Sequence, residues 1–313
     1  MRISVFLKKC LFWGVCGACW LSFLGCMYER GDSEEDSPLK VSFMDVGQGL
    51  AVLLEYGGRY AMYDTGPDSV GVMDSLAARG VDTLDWILLS HNHRDHVGGF
   101  MELGTSAHVE TEPRVHVRQL FVGPDTAGGF IRDSVLRLAA RYGIPVDTVR
   151  RGASAMALPA QAQVAPDFEV LWPPDYVREG GNAASAVLRV EFGESSALFT
   201  GDLDSAGERR LLELFPTLRA GLLQVGHHGS AGSSSLQFVS QVAPEYAVIS
   251  VGRKNRYGHP APAVVNKLGL VLGDSLHLYR TDRDGSVEIE LYSDLGVVNP
   301  RSRFSTGNSN APR

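Results

Sequence analysis

The sequence predicts an α/β protein: two β-sheets packed face to face, with helices on the outside. Three observations point there. Most of the 313-residue chain runs as short apolar segments of strand length separated by turn residues, with 35 glycines to serve the turns. Those segments fall into two series, one in each half, each with helical segments interspersed, and sheets with one apolar face must bury it on another layer. Hydrophobic residues make up 44% of the chain, enough for one large buried core. No fixed-period repeat or low-complexity block interrupts the pattern.

The chain opens differently. Arg2, Lys8 and Lys9 precede the apolar run "CLFWGVCGACWLSFLGC", which ends at Cys26. Basic residues before a short apolar stretch mark a targeting segment, so residues 1–26 read as a signal peptide. Its end, "FLGC", resembles a bacterial lipoprotein box, in which the cysteine is lipidated and becomes the new N-terminus. Phe23 and Leu24 are bulkier than that pattern favours, and the alternative is an uncleaved anchor helix. Either reading places the body outside the cytoplasmic membrane, anchored in the periplasm or at the cell surface. All four cysteines lie in this segment, so the body has neither a disulfide framework nor thiolate metal ligands. Residues 27–38, "MYERGDSEEDSP", read as an acidic tether.

A single domain is expected over 39–295. "LKVSFMDVG", "AVLLEY" and "RYAMYD" are consecutive strands, the last two joined by a turn at Gly57-Gly58. "SVGVMDSLAARG" is a short helix stopped by Gly80. "TLDWILLS" is a buried strand. Gly104 to Arg118 is the least patterned stretch and reads as a surface insertion. Strand "QLFVG", helix "FIRDSVLRLAARYG" and strand "EVLWP" close the first series. The second runs through strands "SAVLRVEFG" and "SALFTGD", helix "SAGERRLLELF" and strand "AGLLQVGHHGS". Helix "SLQFVSQV", strand "YAVISVG", helix "PAVVNKLGL" and a final hairpin ending at "VEIELY" complete it. Residues 296–313 form a polar tail.

The chemistry concentrates in "SHNHRDHVGG", from Ser90 to Gly99. Imidazole and carboxylate suit zinc first, with manganese or iron as alternatives. In an extended loop His91 and His93 project to one side while Asp95 and His96 turn to another, so one loop can serve two metal ions. Gly98 and Gly99 are expected to let the backbone turn tightly away. A bridging carboxylate is then needed, and Asp202 in "LFTGD" ends an apolar strand after a glycine. "VGHHGS" offers His227 and His228. One of these should ligate while the other lines the substrate site, and the residues leave open which. His108, His116 and His277 have no motif around them.

Seven stretches occur in order: "FMDVGQG", "YDTG", "SHNHRDHVGG", "NAASAVLRVEFG", "FTGD", "HHGS" and "NRYGHP". Together they resemble the metallo-β-lactamase superfamily. Within it they are most similar to the hydrolase domain at the end of the DNA-uptake protein ComEC. The resemblance covers Val41 to about Leu291. It implies a four-layer αββα sandwich with its site at one edge, fed by strand-end loops. It also implies that Asp45 and Gln48 lie beside the site, that Asp64 supports the histidine loop, and that His259 reaches in from the far side. Asp95, His227, His228 and His259 would carry the catalysis. The chain departs from that pattern at Leu50 and at His93, where many relatives have Asp. The usual third histidine of the first metal is not evident, and Asn182 and Ser185 stand there as weak neighbours or substrate contacts. The channel part of that branch has no counterpart in the sequence, so the chain is not expected to carry DNA across a membrane by itself.

The formal net charge of -7 excludes a protein held to nucleic acid by its overall field. The cationic cluster "GRKNRYGH" is local: Arg253, Lys254 and Arg256, with Asn255 and Tyr257, stand beside His259 and can hold phosphates. Two metal ions and an activated hydroxide suit phosphodiester hydrolysis, although the fold alone does not choose the substrate. The expected function is an extracytoplasmic metal-dependent phosphodiesterase, a nuclease on single-stranded DNA. It would show little sequence preference, since no aromatic base-reading signature is present. The alternatives are a hydrolase of a small phosphoester, such as phosphorylcholine on envelope polymers, and a non-catalytic DNA-binding lipoprotein of an uptake machine.

Overall fold

Alternation decides the first strand. Leu39, Val41 and Phe43 are fully buried on one face, while Lys40 and Ser42 turn to the other. The computed structural model describes residues 37–302 apart from 105–113, 126–128, 155, 160–163, 175–179, 274–276 and 295. The proposed signal peptide, Cys26 and most of the acidic tether lie outside the described residues.

In order, the elements are β1 (Leu39–Phe43), β2 (Ala51–Tyr56), β3 (Arg59–Thr65), α1 (Val72–Ala78), β4 (Thr83–Leu84), β5 (Trp86–Leu89), α2 (Arg94–Met101), β6 (His116–Val117), β7 (Leu120–Val122), α3 (Gly129–Arg141) and β8 (Val146–Thr148). The second series comprises β9 (Asp167–Trp172), β10 (Val187–Phe192), β11 (Ser195–Phe199), α4 (Ser205–Leu214), β12 (Leu222–Gln224), α5 (Leu236–Val242), β13 (Tyr246–Ile249), α6 (Pro262–Leu272), β14 (His277–Arg280), α7 (Thr281–Asp284), β15 (Val287–Tyr292) and β16 (Gly296–Ser302).

Two sheets hold most of these strands. One has the order β16-β15-β1-β2-β3-β5-β7-β8 and the other β14-β13-β12-β11-β10-β9. Between them lies the main core, in which Phe43, Tyr63 and Trp86 of the first sheet meet Phe168 and Phe199 of the second. Trp86 and Phe168 meet edge to face at 5.1 Å, a favoured aromatic geometry. Outside the first sheet, Leu76 of α1, Val97 and Phe100 of α2, and Val135 and Ala139 of α3 form a second apolar layer. Outside the other sheet, Leu211 and Leu212 of α4 pack with Phe238 of α5, and Val264 and Leu268 of α6 pack on β13. The order is therefore helix, sheet, sheet, helix.

The structure differs from the sequence reading at four places. Gly98 and Gly99 do not turn the chain but lie inside α2. A Cβ on Gly98 would come within 2.2 Å of the Asp68 nitrogen, and one on Gly99 within 2.1 Å of the Thr65 oxygen. Their role is close packing of the helix on the end of β3. The expected final hairpin is divided between sheets: β14 pairs in parallel with β13, and after α7 the chain crosses to pair β15 antiparallel with β1. The domain also runs past residue 295, where a polar tail is expected. Residues 296–302 form β16, whose backbone pairs with β15, so polar composition did not prevent an edge strand. In the proposed surface insertion, Val115 is fully buried and β6 pairs with β4, and 105–113 lie outside the described residues.

Candidate metal centre

The site gathers at one edge of the sandwich, where strands end. β5 delivers Ser90 and the histidine loop, β11 delivers Asp202, β12 delivers His227 and His228, and β13 delivers Ser250.

Asp64, at the end of β3, is fully buried with a left-handed φ of 56°. Its Oδ1 accepts the Ser90 N–H at 2.7 Å, and its Oδ2 accepts the Ser90 hydroxyl and His96 Nδ1–H, each at 2.7 Å. The carboxylate can only accept, so His96 donates from Nδ1 and turns Nε2 toward the site. The Ser250 carbonyl does the same for His228, taking Nδ1–H at 2.9 Å. His91 Nδ1 lies 3.0 Å from Ser90 Oγ and 3.4 Å from Ser185 Oγ, again leaving Nε2 free. Fixing one ring nitrogen to aim the other is how proteins orient metal-binding histidines.

Those Nε2 atoms converge. His91, His93 and Asp202 each place a ligand atom within 4.8 Å of one another, and so do Asp95, His96 and His228. Asp202 lies between the groups. Its Oδ1 is 3.2 Å from His96 Nε2 and 3.8 Å from His228 Nε2, and its Oδ2 is 3.9 Å from His91 Nε2 and 3.5 Å from His227 Nε2. Asp95 Oδ2 lies 3.3 Å from His228 Nε2. His91 Nε2, His96 Nε2, His228 Nε2 and Asp202 Oδ1 are buried without a hydrogen-bond partner. Leaving one such atom unsatisfied costs about 1–3 kcal/mol. Four in one place, all of metal-ligand type, fit a pair of divalent cations.

The charges agree. Burial disfavours ionised Asp202, yet His96 and His228 outweigh it and hold its carboxyl well below the usual range. Burial likewise opposes ionisation of Asp95, and His228 and His96 overcome it. Burial pulls His96 and His228 down, but Asp202 with Asp64 or Asp95 raises both above the usual histidine value. Burial keeps His91 and His227 below it.

The remaining predicted residues divide. Gln48, Asp95, Asp202, His227, His228, Tyr257 and His259 line a cavity of about 350 Å³ over the two groups. Lys254, Asn255 and Arg256 line an adjoining cavity that shares Gln48, Arg94, Asp95 and Tyr257. Asn255 shapes this loop, accepting the Tyr257 and His259 N–H groups and donating to the carbonyls of Gly252 and His259. The Tyr257 ring lies 5.7 Å from that of His259, nearly parallel. Asn182 touches His227.

Three expected substrate contacts are not brought in. Asp45 is exposed, accepts the Gly47 N–H of its own loop and lines neither cavity. Arg253 also lines neither, donating Nε–H to the Asp282 carbonyl. Ser185 is fully buried and supports instead, touching His91 and accepting the Asp202 N–H at 3.2 Å.

Sequence reasoning missed Gln224 and Ile131. Gln224 Oε1 accepts the Thr200 and Gly201 N–H groups, and its amide donates to the Gly201 and Val225 carbonyls. It straps the Asp202 loop to the tandem-histidine loop. The signal available was a polar residue at the end of an apolar strand. Ile131, at the start of α3, lines the cavity. Its place in a helical apolar pattern gave no hint. His116 is exposed on β6, and His277 stacks on Tyr246 away from the centre. His108 lies outside the described residues.

The model of the Metallo-beta-lactamase superfamily matches residues 44–253. ComE operon protein 3 of Bacillus subtilis is 30% identical over 94% of this chain and 37% of its own length. Competence protein ComA of Neisseria gonorrhoeae is 34% identical over 87% of this chain and 35% of its own. The chain thus spans about a third of the length of these relatives. Among solved structures, CmlA, a diiron beta-hydroxylase from Streptomyces venezuelae, superposes with a TM-score of 0.53 at 15% identity. It covers 83% of this chain and 55% of its own.

Proposed function

This chain belongs to the metallo-beta-lactamase superfamily, and from that premise we propose that it is a metal-dependent phosphodiesterase acting on DNA outside the cytoplasmic membrane. The observation that carries the reading is the convergence of the unpartnered Nε2 atoms of His91, His96 and His228 on the two oxygens of one buried aspartate. His91, His93 and Asp202 would hold one divalent ion, and Asp95, His96 and His228 the other. Bound there, the ions supply Lewis-acid charge and lower the pKa of water, the attacking nucleophile of a hydrolysis.

The chain's own residues do the rest. Lys254 and Arg256, beside the metal cavity, bind the phosphates that flank the scissile diester. Arg94 is already engaged with Asp68, whereas among the described residues Arg256 meets only the Tyr257 ring and hydroxyl in that cavity. His259 and Tyr257 line the same cavity as Asp202 and orient the substrate there. Competence proteins among the relatives support DNA as the substrate and an uptake machinery as the partner. Lipidation of Cys26 is the proposed anchor.

One set of assays tests this. The metal-loaded chain should turn over single-stranded DNA and bis-p-nitrophenyl phosphate and should lose both activities to a chelator. Turnover of p-nitrophenyl phosphorylcholine alone would replace the DNA reading with that of a small phosphoester. DNA binding without turnover would make the chain a binding protein. Cys26→Ser should release it from the membrane fraction, and retention there would remove the lipid anchor.

A further inference from the structure

One exposed aromatic ring stands where the two cavities meet. Tyr257 is 55% exposed, and of the exposed large apolar side chains among the described residues it alone lines either cavity. It lines both. Gln48, Arg94 and Asp95 are the other residues that the two cavities share. A substrate reaching from the ligand groups to Lys254 and Arg256 therefore runs past this ring.

The ring is held in place from behind. Asn255 Oδ1 accepts the Tyr257 and His259 N–H groups at 3.2 and 2.9 Å, and Asn255 Nδ2 donates to the carbonyls of Gly252 and His259. Between the two aromatic residues, Gly258 turns the chain with a left-handed φ of 70°. The loop so built sets the Tyr257 ring within 25° of parallel to that of His259. Arg256 sits at the rim of the ring. Its Nη2–H donates to the Tyr257 hydroxyl at 3.2 Å, and its guanidinium carbon lies 5.2 Å from the ring centre.

Those features select a ligand. A bare phosphodiester would use Lys254, Arg256 and the ligand groups and leave the ring idle. A planar base would use the ring as well. Stacking of unpaired bases on aromatic side chains tolerates any sequence, because every base has a π-face. A quaternary ammonium can also sit on an aromatic face, but here Lys254 and Arg256 share the cavity and would repel it.

We propose that Tyr257 is the seat of one unpaired nucleobase beside the scissile phosphate, with Arg256 at its rim taking the phosphate on the far side of that nucleotide. The proposal rests on the reading of the chain as a DNA phosphodiesterase. The seat selects a base of any kind over a bare phosphodiester. It also selects a single strand over a duplex, whose bases are already stacked and paired.

Equilibrium binding to the metal-stripped full chain, which leaves the strand intact, tests the seat. Two single strands of equal length and charge are compared, one carrying bases throughout and one abasic. The native chain should bind the first at least about tenfold more tightly. Tyr257→Phe should keep that preference. Tyr257→Leu, apolar but without a π-face, should lose it by weakening the base-bearing strand, with the abasic strand held within about threefold of native affinity. A single fluorescent purine placed in the abasic strand, whose emission stacking quenches, should dim on binding the native chain and Tyr257→Phe but not Tyr257→Leu. Choline chloride should displace the base-bearing strand no better than sodium chloride at equal ionic strength. Specific displacement by choline would give the ring to a quaternary ammonium and overturn the seat. Equal native affinity for the two strands, or an undiminished preference in Tyr257→Leu, would overturn the seat and leave the DNA reading standing. A native chain that binds neither strand overturns the DNA reading and the seat with it.

Discussion

His96 and His228 owe their readiness to bind metal to the residues behind them. Asp64 and the Ser250 carbonyl hold the Nδ1 hydrogens, and nearby carboxylates raise both rings above the usual histidine value despite burial. In the metal-free fold these raised values stabilise the structure below the unfolded histidine pKa of about 6.5. That stability is lost as pH rises through the folded values. Asp202 and Asp95 are depressed, so their contribution is present above the unfolded carboxylate value of about 3.9 and is lost on acidification through the folded ones. A metal ion joining His96 and His228 must expel protons, whereas burial already keeps His91 and His227 deprotonated near neutrality. Zinc affinity at the Asp95–His96–His228 group should therefore rise about tenfold or more per pH unit between pH 6 and 8, one proton or more released per ion. Titrations at several pH values check this. An affinity independent of pH would show that these rings are not the ligands.

The element that places this loop is α2, and its docking depends on two missing side chains. Gly98 and Gly99 lie against the backbone of Thr65–Asp68, with no room for a Cβ. Backbone on the far side cannot yield as a flexible side chain would. Gly98→Ala should cost about 1–3 kcal/mol of stability by overpacking, seen as an earlier denaturant midpoint for the metal-free protein. An unchanged midpoint would mean that α2 is not held by this contact. The glycine pair was legible as important and misread in kind, because glycine signals a turn as readily as a close approach. The strands β2 and β3 were legible nearly to the residue, because turn residues bound their short apolar runs, whereas "TLDWILLS", read as one strand, divides into β4 and β5 in different sheets. The tandem histidines were legible as one ligand and one substrate contact, but which is which was not, since nothing in "GHHG" announces two left-handed residues. Gln224 was hidden for a related reason. A strap between two loops is a tertiary contact with no local period.

At the scale of the whole molecule, the sandwich joins loops from both halves of the chain. The first sheet supplies His91, His93, Asp95 and His96, and the second supplies Asp202, His227 and His228. The two-sheet architecture was legible from the two strand series. The crossing of β15 and β16 back to the first sheet was not, because α7 is only a four-residue helix without an apolar repeat. Closing the sheets on one core fixes Asp202 between the two ligand groups. The most direct test of that account is Asp202→Asn, assayed for bound metal and for turnover of bis-p-nitrophenyl phosphate. The account predicts a folded protein that loses at least one ion and at least about 100-fold in turnover, a barrier rise of about 2.7 kcal/mol. Native metal content with undiminished turnover would contradict it.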